Sequence, residues 1–346
     1  DALDGTGTCN IAAGLNALGA ATSGDDNVAI GRLALGAGVT TGNDNIAIGA
    51  TAGDALTSGS NNIAIGDIAL SAATTTSDNI AIGRSALAVS IDDGACNIAI
   101  GMTAMGGADT SGDNNIALGQ NAMDALTTGH RNIALGINAL GATTDGNDNI
   151  AIGESALAIS DGDGDSNIAI GKVAMGGADV SGSSNIAMGT NAMDALTTGA
   201  NNVAIGFNAL GQSTTGKCNI AIGSTALGGS DTTGCGNIAM GENAADALTS
   251  GLRNIAIGEG ALTGATDQCD VIAIGKDAFG SSINDGDCNI AIGKSALGGA
   301  DVSGDYNVAI GIEAADAITS GLNNVAIGWT ALGGATTAQY NVALGY

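Results

Sequence analysis

The chain has 346 residues but no proline, and it has only two Phe, three Tyr and one Trp. Proline would remove a backbone donor from a strand ladder, so its absence suits a protein built of paired strands. With so few large side chains, any core must be narrow and filled by aliphatic groups. No apolar run approaches the roughly 20 residues of a membrane helix, and the first residues resemble no signal segment.

Basic residues are also scarce. Eight Lys and Arg stand against 34 Asp and Glu, which gives a formal charge of −26. Such a surface repels phosphate backbones and anionic headgroups, so we expect neither a nucleic acid nor a membrane partner for this part of the chain. The single histidine, His130, has no sequence pattern that would supply a catalytic or metal partner, and no nucleophile or nucleotide motif occurs. The sequence predicts a protein that is not an enzyme.

What the chain has is a repeated pentapeptide, typified by Asn-Ile-Ala-Ile-Gly, in twenty copies spaced 17 or 18 residues apart. We number positions from its first residue, so Ala is position 3 and Gly position 5 in every copy. Ala also recurs at position 8, usually followed by Leu or Met. The copies begin at residues 10, 27, 45, 62, 79, 97, 115, 132, 149, 167, 185, 202, 219, 237, 254, 271, 289, 307, 324 and 341.

Ile and Ala alternate within the pentapeptide, which is the period of a strand. A repeat of 17 or 18 residues is the length of one coil of a β-solenoid. We therefore predict an all-β parallel β-solenoid of about twenty rungs, a single continuous domain over residues 1–346 that is a fragment of a longer fibre protein. Asn at position 1 is expected to stack on the Asn of adjacent rungs, a ladder that Val271 interrupts.

The phase of the alternation is predicted with Ile turned inward and Ala outward. An exposed column of Ala would form a flat apolar stripe, and such a surface usually marks an interface between copies. The alternative is that the stripe packs against another strand of its own coil. The candidate interface residues are Ala29, Ala47, Ala64, Ala81, Ala99, Ala117, Ala134 and Ala151.

Five repeats carry an Asp-Ala-Leu or Asp-Ala-Ile triplet at positions 10–12, and three of these place Gly53, Ala245 or Ala315 at position 9 where other repeats have a larger residue. A large residue has thus moved three places along while a small one filled the old place. We interpret the exchange as conservation of volume in a shared core.

The segment from 202 to 219, NVAIGFNALGQSTTGKCN, resembles the β-roll repeats of trimeric autotransporter adhesin heads and of phage and bacterial tail-fibre or appendage proteins. This resemblance extends over the whole chain. It implies a left-handed solenoid, a homotrimer, an extracellular location, and a role as a rigid spacer or receptor-binding shaft that contacts a cell-surface receptor or glycan. Position 6, where tail-fibre repeats often have Tyr, varies here and is therefore expected to face outward.

All six cysteines lie one or two residues before a pentapeptide. Cys218 and Cys235 fall on adjacent rungs, as do Cys269 and Cys288, and adjacent strands are close enough for disulfides. Two disulfides or six free thiols are both open, and disulfides would indicate an oxidising compartment.

Asp161, Asp163 and Asp165 alternate with glycine, as calcium ligands often do. They are the candidate metal site; the alternative is an acidic, solvated turn. No other cofactor is predicted.

Two further functions compete with the fibre segment. A monomeric solenoid could bind ice or polysaccharide on a flat face, although Thr here occurs as adjacent pairs whose side chains would point to opposite faces. A parallel β-helix enzyme would need loops of unequal length, for which a spacing of 17 or 18 leaves no room.

Overall fold

The computed structural model describes residues 6–20, 23–91, 94–160, 164–281 and 286–346. Every repeat contributes one strand of three residues, at positions 2–4, and the described residues contain no helix. The chain forms two compact units, residues Asp1–Ser181 and Gly182–Tyr346.

The strands of the first unit are β1 (Ile11–Ala13), β2 (Val28–Ile30), β3 (Ile46–Ile48), β4 (Ile63–Ile65), β5 (Ile80–Ile82), β6 (Ile98–Ile100), β7 (Ile116–Leu118), β8 (Ile133–Leu135), β9 (Ile150–Ile152) and β10 (Ile168–Ile170). Those of the second are β11 (Ile186–Met188), β12 (Val203–Ile205), β13 (Ile220–Ile222), β14 (Ile238–Met240), β15 (Ile255–Ile257), β16 (Ile272–Ile274), β17 (Ile290–Ile292), β18 (Val308–Ile310), β19 (Val325–Ile327) and β20 (Val342–Leu344).

Within each unit every strand pairs in parallel with the next one along the chain, and position 3 lies opposite position 3 throughout. Ala29 of β2, for example, is aligned with Ala47 of β3. The predicted all-β parallel β-solenoid is confirmed. Ten strands at about 4.8 Å give each unit a length of roughly 43 Å between its first and last strands.

The predicted phase of the strand is wrong. Position 3 Ala is buried in β2 through β19, whereas the residues at positions 2 and 4 are partly or largely exposed. The proposed interface residues are therefore covered by their own chain and cannot form a surface between copies: Ala29, Ala47, Ala64, Ala81, Ala99, Ala117, Ala134 and Ala151.

The reason for this phase lies in the small cross-section of a rung. The interior is filled by position 3 Ala, position 8 Ala and the Leu or Met at position 9, all buried. Gly53 illustrates how little space remains, because a Cβ added there would lie 3.1 Å from Cδ2 of Leu35 on the preceding rung. Only a methyl group on the strand leaves room for Leu or Met from the opposite wall.

The exchange of large and small residues is confirmed as a feature of the core. Leu56, Leu126, Leu196, Leu248 and Ile318, at position 12, are all buried, as are Ala245 and Ala315 at position 9 of their rungs. The aliphatic volume thus moves between two positions that both face the interior.

Each rung turns through residues in the left-handed region of backbone conformation. In the rung that begins at Asn149 these are Asp148 (φ 57°), Ser155 (φ 56°) and Leu157 (φ 48°), at positions 0, 7 and 9. Polar residues tolerate this conformation, but Leu does so only where packing holds it. Position 5 requires glycine for two reasons. At Gly223, for example, φ is 137°, which residues with a side chain rarely adopt, and an added Cβ would lie 2.4 Å from the carbonyl oxygen of Gly241.

The position 1 Asn residues form the predicted ladder, which is buried. The side-chain Oδ1 of Asn45 accepts hydrogen bonds from both the backbone N–H (3.0 Å) and the Nδ2 (3.1 Å) of Asn62 on the next rung. Nδ2 of Asn62 also donates to the carbonyl of Thr76, at 2.8 Å. Val271 interrupts the ladder but not the sheet, because β16 keeps its register with both neighbours.

We predict that Asn62→Ser lowers the free energy of unfolding by about 2–4 kcal/mol, because the shorter side chain leaves buried backbone groups of adjacent rungs unpaired. Asn61→Ser is the matched control, since Asn61 is exposed and Ser occupies the same position in other rungs. It should change the stability by less than about 0.5 kcal/mol. Urea denaturation measures both; equal effects would contradict a structural role for the buried amide.

Candidate functional site

Each unit exposes the outer face of its sheet. Positions 2 and 4 of successive rungs place two columns of Ile, Val, Leu or Met side by side, which we call the aliphatic stripe. Ile30 is 41% exposed and Ile257 36%, so these side chains lie along the surface rather than in the core. An exposed apolar surface this regular is typical of a binding interface.

Positions 0 and 6 flank the three-residue strand on either side and are mostly exposed, and we call these two columns the rims of the stripe. Ion pairs between adjacent rungs run along them. On the position 0 rim Arg131 pairs with Asp148 and Arg253 with Asp270, each at 2.7 Å. Hydrogen bonds from the guanidinium groups lower the pKa of Asp148 and Asp270.

The position 6 rim has similar pairs. Lys276 Nζ lies 2.7 Å from Glu259 Oε1, and Lys172 Nζ lies 3.2 Å from Glu154 Oε2. The hydrogen bond to Glu259 raises the pKa of Lys276. The sequence predicted that position 6 faces outward. Positions 2 and 4 lie two and four residues before it, so the alternation of a strand places their Ile side chains on the same outward face, and this would have identified the stripe.

All six cysteines are free thiols, so the two predicted disulfides are not formed in the structure. The two cysteines of each predicted pair also occupy different positions in their rungs. Cys235 lies in register with Lys217, not with Cys218. In the same way, Cys269 lies two residues before its pentapeptide, whereas Cys288 lies one residue before the next. The members of each predicted pair are therefore offset by one residue. Burial and the nearby carboxylates of Asp270, Asp287 and Asp305 raise the pKa of Cys288.

Of the three candidate calcium ligands, Asp161 and Asp163 lie outside the described residues. Asp165 is described, and its Oδ1 accepts hydrogen bonds from the backbone N–H (2.7 Å) and Nδ2 (3.3 Å) of Asn147. Over the part of the chain that the structure describes, no three His, Cys, Asp or Glu side chains are grouped to hold a metal ion. The calcium site stays a prediction.

His130 takes part in the fold rather than in a cluster of titratable groups. Its Nδ1 accepts a hydrogen bond from the backbone N–H of Asp113 at 2.9 Å. The backbone N–H of His130 donates to Oδ1 of Asn147 at 3.0 Å. These contacts link it to the rungs on both sides.

A groove runs beside the turn that follows the strand, between positions 7 and 10. In the first unit a cavity of about 480 Å³ is lined by Asn121, Asp124, Asn138 and Ser155 together with the apolar Ile159 and Val173 and several small residues. In the second unit a cavity of about 330 Å³ is lined by Asn243, Glu259, Thr263 and Asp277 among others. Its walls present amides, hydroxyls and carboxylates, a set suited to hydrogen bonding.

The Asp of the Asp-Ala-Leu triplet lies at this groove. The Oδ1 atoms of Asp124 and Asp246 are buried without a hydrogen-bond partner, and burial raises the pKa of both carboxyl groups. Each carboxylate packs over a glycine of the preceding rung: a Cβ added to Gly107 or Gly229 would lie 2.7 or 2.4 Å from Oδ1 of Asp124 or Asp246. Glycine at that place therefore makes room for the acid on the next rung.

No protein-family model and no curated protein matches this sequence. A search of the described residues found no helix with the length and apolar character needed to cross a membrane.

We predict that Asp124→Asn raises stability near pH 7. Burial raises the pKa of Asp124, so this carboxyl group binds its proton more tightly in the folded state than in the unfolded state. The stability that the bound proton contributes is fully present below the unfolded pKa, near 3.8, and is lost as the pH rises through the folded pKa. The neutral amide removes that loss. The gain in the urea midpoint should therefore shrink as the pH falls towards 3.8.

The exposed Asp44→Asn is the control and should change the midpoint little at any pH between 4 and about 8. A lower midpoint for Asp124→Asn at pH 7 would contradict the assignment of a destabilising buried charge.

Proposed function

We propose that the chain is a structural and adhesive segment of an extracellular fibre, a rigid spacer or receptor-binding shaft without catalytic activity. The observation that supports this most is the uniformity of the rungs. Ten strands of three residues in each unit, held by a buried amide ladder and spaced 17 or 18 residues apart, make each unit a stiff object. Mechanical stiffness follows because, within each unit, every rung is hydrogen-bonded to the next.

The resemblance to adhesin-head and tail-fibre repeats supports the same role and adds a left-handed coil, a homotrimer and a cell-surface receptor or glycan as the partner. The exposed aliphatic stripe supports self-association on independent grounds, since water contact with so regular an apolar face is costly. The acidic surface, with a formal charge of −26, disfavours nucleic acid and anionic membranes as the surface that is bound.

A second candidate is a monomeric solenoid that binds polysaccharide. The polar groove between positions 7 and 10 favours it, because its amides and carboxylates are the groups that hydrogen-bond sugar hydroxyls. Ice binding gains no such support: hydroxyls such as those of Thr57 and Thr127 donate to main-chain carbonyls of the next rung, at 2.8 Å each.

We predict that light scattering on the purified chain gives a mass three times the 32.8 kDa of one copy. The expected driving force is burial of the aliphatic stripe, so the mass should not fall at high salt. A 32.8 kDa monomer that retains polysaccharide would contradict the trimeric fibre and favour the second candidate.

A further inference from the structure

Most of the chain's basic and aromatic residues, which are few, lie at two of the 17 or 18 positions of the repeat. Positions 0 and 6, the rims of the aliphatic stripe, contain seven of the eight basic residues and five of the six aromatic ones. Arg and aromatic residues are enriched at protein interfaces, and charged rims commonly surround apolar interface centres. The basic residues on the rims are Arg32, Arg84, Arg131, Lys172, Arg253, Lys276 and Lys294, and the aromatic ones are Phe207, Tyr306, Trp329, Tyr340 and Tyr346.

These aromatic side chains are exposed, although the core contains Phe279 at position 9. Tyr306 is 60% and Trp329 56% exposed, and the rings of Trp329 and Tyr346 meet edge to face along one rim, 5.1 Å between centroids. A protein with so few aromatic residues has thus placed nearly all of them beside its apolar face.

On four rungs the two rims carry opposite charges. In the second unit Arg253 has Glu259 at the other rim of its rung, and Asp270 has Lys276. In the first unit Asp26 has Arg32 and Asp78 has Arg84. Within one copy the strand separates the two rims, and Arg253 and Lys276 make their ion pairs along a rim, with Asp270 and Glu259 of the adjacent rung.

We propose that a second copy of this chain covers the aliphatic stripe, parallel and in register, so that position 0 of one copy meets position 6 of its neighbour on the same rung. This inference rests on the proposed self-association and identifies its surface. A rotation axis that is parallel to the solenoid and lies in front of the stripe brings these opposite rims together, whether the assembly has two or three copies. The matched charges then attract across the interface.

The charges select this arrangement over others in the second unit. A shift of one rung in either direction opposes Arg253 to Lys276 or Asp270 to Glu259. An antiparallel pair would place position 0 against position 0, and in the first unit that column has four Asp and one Arg. Like charges in apposition disfavour both alternatives. One like-charged rung remains in register, that of Asp148 and Glu154, and each has its own cation on an adjacent rung.

A charge exchange tests the pairing without removing any pair within the chain. In the double variant Glu259→Lys with Lys276→Glu, the ion pair along the position 6 rim is kept but its direction is reversed. We expect self-association to weaken at least ten-fold, with the urea midpoint of the dissociated chain unchanged. Adding Arg253→Asp and Asp270→Arg should restore association, because both rims are then reversed together.

Cysteine cross-linking tests the register. In a chain whose other five cysteines are replaced by Ser, Cys218 at position 0 is combined with Ser224→Cys at position 6 of the same rung. Mild oxidation with copper phenanthroline should link copies covalently, as seen on a denaturing gel without reductant. The control pairs Cys218 with Thr190→Cys, a position 6 residue two rungs away, and should give no link.

The outcomes separate the two proposals. A wild-type chain that is monomeric by mass overturns both the self-association and its surface. An oligomer that is insensitive to the charge exchange, or that links through Thr190→Cys as readily as through Ser224→Cys, overturns only the surface and register proposed here.

Discussion

The structure depends on the vertical alignment of identical residues, and the buried Asn ladder is the interaction that fixes it. Each amide oxygen accepts from the next rung while each amide nitrogen donates to a turn carbonyl, as Asn45 and Asn62 show. A displacement of one residue would leave these groups unpaired in the interior, where that is most costly. The ladder therefore holds each strand in register even though the strand itself is only three residues long.

A rung fixed in this way has a very small interior, and the placement of side chains follows from that. Ala at positions 3 and 8 allows Leu or Met at position 9 to reach across, and the β-branched residues are left for the outer face. An apolar exterior and a methyl-lined interior are two consequences of one narrow cross-section. The exposed stripe is thus built into the repeat, and its rims are the places where the chain varies and concentrates basic and aromatic groups.

Much of the architecture could be predicted from the sequence. The period of 17 or 18, the alternation within Asn-Ile-Ala-Ile-Gly and the invariant Ala and Gly predicted a parallel solenoid, the ladder and the exchange between positions 9 and 12. The phase of the strand was predicted wrongly, because Ile is ordinarily more buried than Ala. The correct signal was present: position 6 varies among Arg32, Glu154 and Trp329 and shares its parity with positions 2 and 4.

The sequence by itself determined the repeat, the strand and the stacking of rungs, since these depend on local periodicity and on identical residues meeting at a fixed spacing. Only the tertiary structure decided which face is buried, because that depends on the space left by the opposite wall of the coil. It also decided that Asp124 packs over Gly107, a contact between rungs that no spacing within a single repeat determines.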